Sequence, residues 1–229
     1  PDDRMLLLDL SVDFNYGIWE NEYTWNYAKG IYGKKWIYST VPNFGGRTCP
    51  VGDLDFYLNG HLNALTSPNK GNLIGLGTAP EGVENNEVIY EIIADAAWST
   101  SHKDIREWLR NYTVNRYGSC PDAIMEFWDK MLASDYGFCS SRAQYRVQKK
   151  PFDGLGGRYS VSKTHFEALE AFVAASDELG NDSAYLTDLA LWAGIYAFGK
   201  ADVLAQQIHR AYLVGDHVRH VMILVVPDR

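Results

Sequence analysis

Lys35-Trp36-Ile37-Tyr38-Ser39-Thr40-Val41, closing on Pro42-Asn43-Phe44-Gly45-Gly46, is the stretch on which the fold turns. A run rich in β-branched and aromatic side chains, stopped by a Pro/Asn/Gly cluster, reads as a buried strand ending in a polar rim. Two similar runs flank it. Arg4 to Leu10 is apolar and leads to Asp9 and then Asp13; Asn72 to Leu76 ends in Gly77-Thr78-Ala79-Pro80-Glu81-Gly82. Between the second and third runs, Leu54, Leu58, His61, Leu62 and Leu65 fall at helical spacing and predict a crossover helix over about 53–66. Strands alternating with such connections predict a parallel sheet wrapped by helices with right-handed crossovers.

From Asn85 onward the apolar period is 3.6 and stays so. Val88, Ile89, Ile92, Ile93, Ala96 and Ala97 mark one helix; Ile105, Trp108, Leu109 and Tyr112 a second; Ile124, Phe127, Trp128, Met131 and Leu132 a third, opened near Pro121. Arg142 to Gly157 has no period and reads as a loop or linker. Phe166, Leu169, Phe172 and Val173 mark a further helix. Apolar positions from Leu186 to Ala211 mark a last one of about 30 residues, with Gly194 and Gly199 as weak points. The expected organisation is an α/β unit over 1–98 and an all-α helical domain over 99–229. Three parallel strands cannot close a barrel, and the apolar run Val221–Val226 has no visible partner, so the chain reads as a piece of something larger.

Composition narrows the function classes. The 229 residues are 46% hydrophobic and 22% charged, which is a globular balance, and the net charge of −8 repels phosphate backbones, so nucleic acid is not expected as a partner. No apolar run reaches the roughly 20 residues of a membrane span, and Pro1-Asp2-Asp3-Arg4 precedes no signal-type segment. Cys49, Cys120 and Cys139 are widely spaced, and the six histidines show no metal-ligand spacing, so neither a metal site nor a cofactor is expected.

In a parallel α/β sheet, reactive groups collect at the C-terminal strand ends. Asp13, Asn43 and Glu81 occupy that rim. Glu81, set between Pro80 and Gly82, is a candidate nucleophile or acid, and reads equally as a carboxylate facing the N-terminus of the next helix. Asn43 offers donor and acceptor to a hydroxyl or amide, and Phe44 and Gly45 continue a loop whose glycines let backbone approach a ligand, or simply satisfy a positive φ. Asp13 could orient a substrate hydroxyl or bond neighbouring backbone N–H groups. Among the tryptophans, Trp19 and Trp25 are the candidate sugar-stacking platforms, whereas Trp36 and Tyr38 alternate on a strand of which at least one should be core.

These residues also carry a resemblance. Lys35 to Gly46, together with Gly75-Leu76-Gly77-Thr78-Ala79-Pro80-Glu81-Gly82-Val83-Glu84-Asn85-Asn86-Glu87-Val88-Ile89-Tyr90, is similar to the catalytic domain of the alpha-N-acetylglucosaminidase family, glycoside hydrolase family 89. The likeness continues through Trp108 to Arg116-Tyr117-Gly118 and into the helices from His165 to Asp216, and stops before the last ten or so residues. It implies the last three βα units of a (β/α)8 TIM-type barrel followed by the start of a helical domain. The implied activity is a retaining hydrolase that removes terminal α-linked N-acetylglucosamine from glycans or glycosaminoglycans, in a secreted, periplasmic or lysosomal setting.

On that resemblance Glu81 falls on the catalytic nucleophile, with Asn43, Asp13, Phe44 and Gly45 as substrate-binding groups. The acid/base Glu of the family lies on an earlier strand, outside this chain. The 229-residue piece is therefore expected to be inactive alone, with unpaired sheet edges open to self-association. A noncatalytic carbohydrate-binding module, and a related barrel glycosidase with another sugar specificity, are the alternative readings.

Overall fold

A computed structural model of the chain describes residues 4–10, 12–17, 22–42, 50–80, 86–139 and 162–215. In chain order the elements are β1 (Leu6–Asp9), α1 (Val12–Gly17), α2 (Thr24–Tyr27), a 3-10 turn (Ile31–Gly33), β2 (Lys35–Thr40), β3 (Gly52–Asp53), α3 (Leu54–Asn59), α4 (His61–Thr66) and β4 (Asn72–Thr78). There follow α5 (Glu87–Ala96), α6 (Ile105–Tyr117), α7 (Asp122–Leu132), β5 (Gly137–Phe138), α8 (Lys163–Ala174), α9 (Ser176–Leu179) and α10 (Ser183–Leu213). The three long strands pair in parallel in the order β1-β2-β4. Leu7 lies beside Trp36, Asp9 beside Tyr38, and Thr40 beside Thr78.

That register sorts the side chains. Trp36 and Tyr38 point into the helical layer, where Trp36 is wholly buried and stacks on Trp25 of α2 at 6.4 Å. Leu6 and Leu8 alternate to the opposite face and stay about half exposed, as does Ile74 beside the register shift in β4. Parallel sheets ordinarily have both faces covered. Here one face is packed, and on the other Leu6 and Leu8 are left about half exposed. Among the described residues the outer edges of β1 and β4 carry no strand partner.

Helix boundaries follow local chemistry. Asp53, Asp104 and Asp182 cap α3, α6 and α10 by accepting the N–H groups of Phe56 (2.9 Å), Glu107 (2.8 Å) and Tyr185 (2.8 Å). Gly118, at φ +77, closes α6 in the left-handed conformation. The predicted crossover helix is present but divided at Gly60 into α3 and α4. The long terminal helix runs through Gly194 and Gly199 without a break. Between α2 and β2, five consecutive residues, Lys29 to Gly33, have positive φ. Gly30 packs so closely on Gly71 that a Cβ there would lie 2.5 Å from the Gly71 Cα.

The helical layer is held by rings and by a largely buried ion pair. Phe127, Phe172, Tyr185 and Trp192 pack at centroid distances of 4.9–6.3 Å, with the Tyr185 hydroxyl donating to the Phe172 carbonyl at 2.8 Å. Beside them the Arg116 guanidinium forks onto Asp188, which also accepts from the Tyr117 hydroxyl at 2.6 Å. That contact fastens α10 to the end of α6.

A short two-stranded sheet is among the contacts that join the two halves of the chain. β5 pairs antiparallel with β3, placing Gly52 beside Phe138 and Asp53 beside Gly137. Gly137 is required there, because a Cβ would meet the Leu132 carbonyl oxygen at 2.0 Å. The segment after α7 therefore reaches back to the rim that follows β2.

Candidate active site

β2 and β4 are neighbours, so their C-terminal ends, Thr40 and Thr78, lie side by side. The Ala79 N–H donates to the Thr40 carbonyl at 2.9 Å, and the Thr78 hydroxyl reaches the same oxygen at 3.4 Å. From these two posts the chain enters 43–49 and 81–85. Glu81, Asn43, Phe44 and Gly45 are in those stretches and lie outside the described residues, as do Trp19, Cys49, His217, His220, the 142–157 segment and the run 221–226.

Asp13 is described, and it is 2% exposed. Sitting in the first turn of α1, it accepts the Val41 N–H on both oxygens (3.2 and 3.1 Å) and the Tyr57 hydroxyl at 3.3 Å. Burial pushes its carboxyl up to about 6, against the pull of the hydrogen bonds from Val41, the local backbone and Tyr57. The arrangement corresponds to the backbone-bonding alternative for a strand-end aspartate. It braces Val41, two residues before Asn43. A small pocket with room for about one water lies against Asp13, Val41, Tyr57 and Cys139. The Cys139 thiol is 7% exposed and is pushed up by burial and by the charges of Asp13 and Asp53.

On the other side of the rim, Asn86 takes the N-cap position of α5 without a side-chain cap bond, and its Oδ1 accepts the Tyr136 hydroxyl. Asn86 is 3% exposed and Tyr136 is fully buried. Neither Tyr57 nor Tyr136 stood out in the sequence as a site residue. Each sits next to a core-facing helical pattern, and only the tertiary fold gives it a polar partner. His165 likewise carried no spacing signal; it pairs with Asp135, both side chains fully buried.

Trp25 departs from expectation. Instead of forming a platform it is 4% exposed, stacked between Tyr23 at 5.4 Å and Trp36 at 6.4 Å. The β2 strand supplies an apolar partner that a short helix beside it must cover, and Trp25 is the residue within reach.

A larger cavity of about 430 Å³ opens between α5 and α6, lined by Glu91, Asp95, Glu107, Trp108 and Tyr112 among others. Burial raises the Glu91 carboxyl there despite the nearby Arg116. It lies along the helix faces, away from the strand ends, and its tryptophan is committed to Asp95 at 2.8 Å.

No described helix is long and apolar enough to cross a membrane. Residues 1–100 match the profile described as the alpha-N-acetylglucosaminidase (NAGLU) tim-barrel domain. A human alpha-N-acetylglucosaminidase is 32% identical over 197 residues, covering 82% of this chain and 25% of that protein. The chain thus spans about a quarter of the length of the curated relative it matches.

Among solved structures, a family 89 glycoside hydrolase from Clostridium perfringens in complex with PUGNAc superposes with a TM-score of 0.77 at 22% identity. It covers 97% of this chain and 26% of that one. A form of the Clostridium perfringens enzyme carrying two Glu→Gln substitutions, in complex with its substrate GlcNAc-alpha-1,4-galactose, gives 0.76 at 22% identity, over 95% of this chain and 25% of that one.

Proposed function

The chain belongs to the alpha-N-acetylglucosaminidase family, and on that premise we propose that it is the part of a glycoside hydrolase that contributes Glu81 as nucleophile for removal of terminal α-linked N-acetylglucosamine. In this reading β1, β2 and β4 with their helices are the last three units of a (β/α)8 barrel, and the helices beyond residue 98 begin a helical domain. The observation that carries it is the likeness to the human enzyme over 82% of the chain. The exposure of Leu6 and Leu8, and the edges of β1 and β4 that have no strand partner among the described residues, support it, since further barrel strands would cover the one and pair the other.

A retaining reaction on this substrate requires an enzymic nucleophile. In the α-anomer the 2-acetamido group is on the same side as the leaving oxygen and cannot displace it from behind. Retention by double displacement then uses two carboxyl groups about 5–5.5 Å apart, one attacking C1 and the other protonating the departing oxygen. Glu81 is the first of these, and the second is supplied by the rest of the longer protein. The relative bound to intact substrate after two Glu→Gln substitutions is in keeping with such a pair.

Asn43, Phe44 and Gly45 would contact the sugar, with Asp13 bracing their loop through Val41. Without a proton donor, which is typically worth about 10²–10⁴-fold, the 229-residue piece is inactive alone. The edges of β1 and β4, which have no strand partner among the described residues, favour self-association.

The test uses full-length protein and an aryl α-N-acetylglucosaminide. Wild type should release the phenol; Glu81→Gln should abolish release while leaving the circular dichroism unchanged. Normal turnover by Glu81→Gln refutes the nucleophile assignment.

A further inference from the structure

The segment from Ser134 to Cys139 leaves the helical layer and returns to the strand ends. Its base is gripped by α8, because Asp135 and His165 are bonded with both side chains fully buried. Its far end, β5, is paired to β3, and Cys139 reaches the pocket beside Asp13. Tyr136 sits between these anchors. Its N–H donates to the Met131 carbonyl at 2.8 Å, its carbonyl accepts the Leu54 N–H at 3.1 Å, and its hydroxyl donates to Asn86 Oδ1.

Asn86 is the first described residue after 81–85. An Asn in an N-cap position ordinarily accepts an N–H from the first turn of its helix, a contact worth about 1 kcal/mol. Asn86 makes no such bond and meets Tyr136 instead. The other end of the stretch is fixed as well, by the 2.9 Å bond from Ala79 to the Thr40 carbonyl on the neighbouring strand. The contact at Asn86 is supplied by the helical half of the chain.

We propose that Tyr136 is a positioning residue for the glycosidase reaction, holding Asn86 and thereby the reach of the Glu81 carboxylate towards the anomeric carbon. The proposal rests on the reading of Glu81 as nucleophile. A reacting carboxylate must be held to within about 0.5 Å, and a misplacement of about 1 Å from a remote change can cost about 10²-fold.

The experiment uses full-length enzyme with an aryl α-N-acetylglucosaminide, and rates are expressed per folded molecule. Tyr136→Phe removes only the phenolic oxygen; it should lower kcat by about 10–100-fold and leave KM within about threefold, the mark of an interaction realised in the transition state. Asn86→Ala should also lower kcat, and the double variant should lose less than the product of the two single losses, because both delete the Tyr136–Asn86 contact. Wild-type kcat in folded Tyr136→Phe overturns the proposal. So do single-variant losses that multiply in the double.

A second arm separates this from the parent reading. In Glu81→Gly, azide should restore phenol release: its nitrogen bonds to C1 as the C1–O bond breaks and the phenolate leaves, giving the glycosyl azide. Adding Tyr136→Phe to Glu81→Gly should not change the azide-supported rate, since no carboxylate remains to be aimed. Absence of azide rescue sinks the nucleophile assignment. Rescue combined with unchanged kcat in Tyr136→Phe sinks only the positioning role.

Discussion

Asp13→Asn tests the energetics of the rim most cleanly. The carboxyl is buried, and its value rises from 3.8 to about 6 on folding because burial outweighs the hydrogen bonds from Val41 and Tyr57. Between those two values the folded state holds a proton that the unfolded chain has released. A raised carboxylate therefore contributes stability at low pH that is lost as pH climbs through about 6, and the full effect is about 3 kcal/mol at about 1.4 kcal/mol per pH unit.

Asparagine keeps the size and one acceptor oxygen but cannot ionise. Relative to wild type, Asp13→Asn should gain about 2 kcal/mol of stability on going from about pH 4.5 to about pH 8. Urea unfolding of both proteins at several pH values reads this directly, because every other titrating group cancels in the difference. A stability gap that is flat across that range would show that Asp13 is not buried as a carboxylate in this way.

Two further expectations follow from the packing. Asp188→Ala leaves the Arg116 guanidinium and the Tyr117 hydroxyl without their shared acceptor, and should destabilise by about 3 kcal/mol. That is the low end for a broken buried pair, because the Arg116 side chain keeps 20% exposure; the urea midpoint measures it, and Asp188→Asn should recover part of the loss. Gly30→Ala places a Cβ 2.5 Å from Gly71 at φ +73. It should cost at least about 1–2 kcal/mol, seen as a drop in melting temperature that Gly33→Ala, with open space at its Cβ, should produce to a smaller extent.

The three parallel strands were legible because a strand buried among helices gives an unbroken apolar run with a polar stop, as Lys35 to Gly46 does. The same logic located α5, α6, α7, α8 and α10, whose buried positions recur at helical spacing. The β3–β5 pair was not legible. Two residues a side leave no periodicity, and its partners are some 85 residues apart in sequence. Gly60, which divides the crossover helix, sits inside an apolar pattern that reads as continuous.

The site divides in the same way. Asp13, Asn43 and Glu81 could be nominated because rim positions follow from strand ends. Tyr57, Tyr136 and Asn86 gain their roles only from contacts between distant segments. Trp25 misled for the complementary reason: a tryptophan in a short connection is ambiguous until the strand beside it is known to present Trp36.

In the proposed double displacement, Glu81 bonds covalently to the sugar. Full-length enzyme incubated with a 5-fluoro N-acetylglucosaminyl fluoride should accumulate the glycosyl-enzyme, and mass spectrometry of its digest should find the added sugar on Glu81. Label on another carboxylate, or inactivation of the enzyme with no sugar attached to it, would contradict this assignment.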